Sequence, residues 1–132
     1  MKFVIDTHAL IWFLEGNSRL GRNAKAVFSH PDSQLVIPAT TLAEAVWIVE
    51  RGKTSISSSQ DVIAAVKADD RVLIYPLDQE IIEMTMSLSA INEMHDRQIA
   101  ATALVLASKG EIVQLLTCDK NITASGLVPI VW

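Results

Sequence analysis

Residues 1–16 read MKFVIDTHALIWFLEG, and the change of character within them sets the architecture. Phe3, Val4 and Ile5 form the unbroken apolar run of a strand covered on both faces. Ala9 to Leu14 is an apolar helical segment, and the helix is expected over Thr7–Leu14. Asp6 stands at the junction. A carboxylate there either caps the helix by accepting from its unpaired first N–H groups, or belongs to a charged site whose other members lie elsewhere. The choice turns on whether acids recur at equivalent junctions.

The 132 residues suit one domain, 1–132, with a real core. Half the residues are apolar and a fifth are charged, a globular rather than a disordered composition. No internal repeat is present, and the Ser-rich stretch from Thr54 to Ser59 reads as a loop leading into a helix. Asp6, His8 and Glu15 interrupt the N-terminal apolar run, which a signal-peptide core would not tolerate. The longest later apolar run, Ile99 to Ala107, is far short of the roughly 20 residues of a membrane helix. Cys118 is the sole cysteine, so no internal disulfide forms; its strand-like surroundings predict burial, and a reducing cytoplasm is the expected location. A net charge of −4 speaks against a non-specific nucleic-acid binder. That argument weakens if several acids gather around a cation.

Further strands are expected at Leu35–Ile37, Val72–Tyr75 and Val113–Leu116, with a last one at Pro129–Val131. Helices are expected over 21–29, 42–51, 60–68, 79–90 and 97–108, with Gly52 and Gly110 as stop signals for two of them. Alternating β and α segments predict a three-layer α/β/α sandwich around a mostly parallel sheet of four to five strands. Parallel strands end on one edge, and ligands bind outside those carboxyl ends. Asp6 lies on that edge.

Asp119 follows the strand ending Leu115-Leu116, and Glu44 falls in the first turn of the helix expected from Leu42. Asp96 opens a helix that is apolar almost all round and therefore buried. Each acid alone has a capping explanation, and Thr41-Leu-Ala-Glu44 matches a capping box. Together they favour a site. Two like charges about 4 Å apart repel by roughly 4 kcal/mol at an effective dielectric of 20, so converging carboxylates call for a hard cation with oxygen ligands. Two such ions can clamp the attacking and leaving oxygens of a phosphodiester displacement. Chain direction brings three of the acids to the strand-end edge. Two helices separate strands 72–75 and 113–116, so counting crossings leaves Asp96 unplaced.

At Val4-Ile-Asp-Thr-His-Ala-Leu10, Leu42-Ala-Glu44, Asp96-Arg-Gln-Ile-Ala-Ala-Thr-Ala-Leu104 and Thr117-Cys-Asp119 the chain resembles the PIN-domain family, and within it the VapC-type toxin ribonucleases of type II toxin–antitoxin systems. The resemblance spans essentially the whole chain. It implies an Mg²⁺- or Mn²⁺-dependent endoribonuclease that hydrolyses RNA by direct attack of an activated water, without a covalent intermediate. It implies an acidic pocket of Asp6, Glu44, Asp96 and Asp119, with Asp6 and Asp96 the foremost metal ligands. Glu44 and Asp119 complete the shell, and Thr117 sets its hydroxyl on the carboxylates. It also implies a cognate antitoxin that blocks the pocket, a homodimer, and an Asp96 brought to the acidic edge. Some relatives carry a further acid where Asn121 stands, so the expectation is one firmly held ion, with a second left open.

RNA contacts are expected from local basic patches: Arg51 with Lys53, or Arg97 with Lys120, which otherwise read as solvated surface. His8 and His95 read as helix-start or supporting residues. Trp12, Phe13 and Trp47 read first as core and second as anchors of a partner groove, and Met84, Met86 and Met94 as core filler. Two other phosphate chemistries fit poorly. A phosphoacceptor domain wants paired acids after strand one, where Thr7-His8 stand, and a dehalogenase-like phosphatase wants an Asp where His8 stands. A PIN fold that only binds RNA or protein is the remaining alternative.

Overall fold

Alternate residues of the central strands enter two different cores. The computed structural model describes residues 1–132. Strands β1 (Lys2–Ile5), β2 (Gln34–Pro38), β3 (Val72–Tyr75), β4 (Val113–Leu116) and β5 (Ile130–Val131) form one sheet in the order β3-β2-β1-β4-β5. Every pairing is parallel, with Val4 opposite Val36 and Leu115. Val4, Val36 and Leu115 face α5 (Gln79–Thr85), α6 (Met94–Ser108) and α7 (Lys120–Ser125). Ile5, Leu35, Ile37 and Leu116 face α1 (Thr7–Glu15), α2 (Arg22–Ser29), α3 (Ala39–Glu50) and α4 (Ser59–Ala68). Two cores on one sheet make three layers, as the alternation of segments implies.

Several elements depart from the sequence reading, each for a local reason. Helix α3 starts at Ala39 rather than Leu42, because Pro38 (φ −55°) leads straight out of β2 into the helix. Thr41 is therefore inside the helix and no capping box forms. Its hydroxyl donates to the Ile5 carbonyl at 2.8 Å and ties α3 to the end of β1. Helix α5 stops at Thr85 rather than Ala90, where the Ser87 hydroxyl donates back to the Met84 carbonyl. The turns that follow bury Leu88 and Ile91 and return the chain to the strand-end edge. Helix α6 consequently starts at Met94, three residues before the expected Arg97. Helix α7 is an addition, capped by Asp119 through Ile122 N–H and ended by Gly126 in the left-handed region (φ 66°).

Strand β3 was expected to be covered on both faces, but it is an edge strand with Leu73 and Ile74 exposed. Trp12 and Phe13 pack on the core as expected, whereas Trp47 is 60% exposed. Met84 packs on the core, while Met86 and Met94 are exposed. Cys118, expected to be buried, is exposed because the strand ends at Leu116. No helix is long and apolar enough to cross a membrane.

Candidate active site

Asp6 is the deepest acid, 7% exposed at the carboxyl end of β1. Its Oδ1 accepts from the Thr7 N–H at 2.7 Å, and its Oδ2 accepts from the Thr117 hydroxyl. Thr117 Oγ1 in turn accepts from the Asp119 N–H at 3.0 Å. A relay thus runs from the backbone after β4 to the carboxylate after β1, across the hydrogen-bonded pair β1–β4. An ordinary cap would reach the second or third N–H of the helix; Asp6 reaches only the first, so capping does not account for its burial. Asp119 does both jobs, capping α7 while its backbone anchors Thr117.

Glu44 lies in the second turn of α3. The Thr7 hydroxyl donates to its Oε1 at 2.7 Å, so the residue after Asp6 aims the carboxylate from α3. Thr40, also on α3, donates to Gln98 Oε1 of α6 at 2.8 Å and sets the two helices side by side. Glu93, which the sequence reading did not select, caps α6 by accepting from the Asp96 N–H at 2.9 Å. Its other oxygen lies 2.6 Å from His95 Nδ1, and that nitrogen is 3.6 Å from Glu44 Oε2. His95 therefore bridges two acids, consistent with a supporting part. The signal that could have marked Glu93 was the helix start, had it been read three residues earlier.

These residues close on a cavity of about 450 Å³, bordered by the carboxylates of Asp6, Glu44, Glu93, Asp96 and Asp119 together with His8, Trp12 and Cys118. All four acids expected from the sequence reach it. Arg51, Arg97 and Lys120 do not border it: Arg97 Nε donates to the Ile91 carbonyl, Arg51 sits 5.0 Å from the Trp47 ring centroid, and Lys120 is exposed at the start of α7. Asn121 accepts from the Asn92 N–H and donates to the Ala90 carbonyl. It holds the turn before α6 rather than facing the acids, and an aspartate there would lose the second of these bonds.

Burial and mutual repulsion show in the protonation of the cluster. Asp96 is pushed up to about 7, by loss of water first and then by the charges of Asp119, Asp6, Glu93 and Glu44. Burial raises Asp6 against the bonds from Thr117 and Thr7, and raises Glu44 against the bond from Thr7. Glu93 goes the other way: burial opposes, but the His95 and Asp96 donors outweigh it and hold it below the usual carboxylate range. The bond to Glu93 raises His95. No three His, Cys, Asp or Glu side chains stand close enough to hold an ion as they are. The donor set itself is all hard oxygen, and its carboxylates repel one another. That chemistry fits a divalent cation.

An all-parallel five-stranded sheet in the order 3-2-1-4-5, with acids gathered at its carboxyl edge, is the arrangement of the PIN class. The PIN domain family model matches residues 3–125, and the chain belongs to this family. No curated protein matches it in sequence. Among solved structures the fold is shared with Mycobacterium tuberculosis VapC20, a sarcin-ricin loop cleaving toxin, at TM-score 0.70 and 19% identity over 99% of this chain and 100% of that one. It is shared with a toxin–antitoxin complex from Klebsiella pneumoniae at 0.67 and 23%, over 100% and 97%. VapBC-1 from nontypeable Haemophilus influenzae follows at 0.68 and 18%, over 98% and 96%.

Proposed function

We propose that this PIN domain is a metal-dependent endoribonuclease and the toxin half of a toxin–antitoxin pair. The observation that carries the reading is the convergence of five carboxylates on one cavity, with Asp96 pushed up to about 7. Asp6, Asp96, Asp119 and Glu44 are the residues to hold Mg²⁺ or Mn²⁺, one ion firmly. When bound, the ion supplies charge neutralisation at the phosphodiester and an acidified water. Thr117 and Thr7 hold the carboxylates of Asp6 and Glu44 at the cavity that both residues border. Glu44, tethered by Thr7 and flanked by His95, is suited to orient the attacking water and take its proton. No side chain is needed as a covalent nucleophile. The toxin role is supported by the shared fold of the VapC20 toxin and of two toxin–antitoxin complexes. An antitoxin has a landing place beside the acids: a trough of about 620 Å³ with Trp47, Leu77 and Met94 in its walls, sharing Glu44 and His95 with the site. The exposed apolar edge at Leu73 and Ile74 supports a homodimer.

The test is end-mapping of cellular RNA incubated with the purified protein and Mg²⁺, beside Asp6→Asn and EDTA controls. New 5′ ends that vanish in both controls are expected. Folded, antitoxin-free protein that produces none would leave a PIN fold that only binds.

A further inference from the structure

The acidic cavity opens on two sides of different chemistry. On one side lies the apolar trough of Trp47, Leu77 and Met94. On the other, His8, Trp12 and Ile48 border both the acidic cavity and a second cavity of about 690 Å³ that continues to Arg19, Lys53 and Thr54. The His8 ring is 5.5 Å from that of Trp12, and the Arg19 guanidinium rests 5.9 Å from the Trp12 centroid. Arg19 and Lys53 are exposed and neither forms an ion pair. Glu15 also borders this cavity, but its oxygens are engaged by the Ser55 N–H and hydroxyl and by Asn17, where it fixes the loop that carries Lys53.

We propose that the His8–Trp12–Arg19–Lys53 cavity carries the single RNA strand on one side of the phosphate to be cut. Resting on the ribonuclease reading, this names the path by which its substrate enters. A polyanion needs cations and a stacking surface along its track. This exit has two cations outside any ion pair and an indole, whereas no Lys or Arg borders the apolar exit. A base leaving the acidic cavity meets Trp12 within one side chain's width, because Trp12 borders both cavities. Arg19 and Lys53 then lie where the next phosphates run. The two cations therefore draw the strand to this exit as well as adding affinity.

The test uses anisotropy of a fluorescein-labelled single-stranded RNA of mixed sequence, with the full chain carrying Asp6→Asn in Mg²⁺ so that the probe is not cut. Adding Arg19→Gln and Lys53→Gln is expected to weaken binding about tenfold. It should also flatten the dependence of log K on log salt by about 1.4, at about 0.7 per phosphate contact on single strands. Lys25→Gln with Lys67→Gln, exposed cations that border neither cavity, removes the same charge and is expected to do neither. Arg19→Lys with Lys53→Arg is expected to restore both readouts. Trp12→Leu should weaken binding and Trp12→Tyr retain it, with unfolding curves for each variant to confirm the fold. Unchanged affinity and salt slope in the Arg19/Lys53 variant, while the unmutated chain cleaves RNA, would overturn the proposal and leave this cavity to a protein partner. Loss of RNA binding on Trp47→Ser instead would put the strand on the apolar side and overturn it equally. Failure of the unmutated chain to cleave, with no binding by the Asp6→Asn chain, would end the ribonuclease reading and this inference with it.

Discussion

Replacing Asp96 with Asn should make the metal-free protein more stable while abolishing its activity. In the folded state the Asp96 carboxyl is pushed from 3.8 to about 7, so between these pH values the folded chain binds more protons than the unfolded one. The penalty for holding the charge is absent below about pH 4, grows as pH rises, and is complete above pH 7. At about 1.36 kcal/mol per unit the full shift corresponds to roughly 4 kcal/mol. Asp96 is half open to water, and screening reduces this to about 2 kcal/mol. Against it stands the favourable interaction of a first-turn carboxylate with the helix dipole, about 0.3–1 kcal/mol. The net gain for Asp96→Asn is then about 1 kcal/mol at pH 8, or a rise of about 3–5 °C in Tm for a domain of this size. Near pH 5 only about a third of the electrostatic gain remains, which the lost dipole interaction cancels. The assay is thermal unfolding of both proteins at pH 5 and pH 8, in EDTA and in excess Mg²⁺. Mg²⁺ should raise the Tm of the wild type more than that of the variant, since the ion supplies the missing counter-charge. An Asp96→Asn protein no more stable than wild type at pH 8 in EDTA, or a gain equal at both pH values, would refute the electrostatic account of the cluster.

Thr117→Val removes the hydroxyl that donates to Asp6 and accepts from the Asp119 N–H; it should raise the Asp6 carboxyl further and cut RNA cleavage at least about tenfold, about 1.4 kcal/mol in the barrier, with the circular dichroism spectrum unchanged. Thr41→Val is nearly isosteric but leaves the buried Ile5 carbonyl without its donor; urea unfolding should show a loss of about 1–3 kcal/mol. On the proposed reading protons and a cation compete for the same oxygens, so the acid limb of the cleavage rate should lie near the Asp96 value, about 7, at limiting Mg²⁺, and move to lower pH as Mg²⁺ is raised; a limb that ignores Mg²⁺ concentration would separate the titration from metal binding.

The legible part of the site follows from chain direction. Asp6 stands directly after an apolar run and Asp119 just beyond another, and parallel strands must end on one edge, so their common edge was readable from the order of residues. They meet across β1 and β4, whose strands are neighbours in the sheet. Glu44 was readable as a member but not in its setting. Its partner Thr7 lies 37 positions away, and the apparent capping box at Thr41 dissolved once Pro38 started the helix early. Local patterns compete with tertiary contacts for the same side chains, and here the carbonyl of Ile5 took Thr41.

Chain composition and periodicity by themselves determined the layer architecture, the positions of the strands and the three junction acids, because burial on both sheet faces demands continuous apolar runs and strand direction orders their ends. Only the tertiary structure decided the strand order, the exposed edge at β3, the entry of Glu93 and the place of Asp96. The last two depend on residues 86–93, where Leu88 and Ile91 sink into the core and carry the start of α6 back to the acidic edge. The path of such a segment is set by what it can bury against residues distant in the chain, and no periodicity within it records where those residues are.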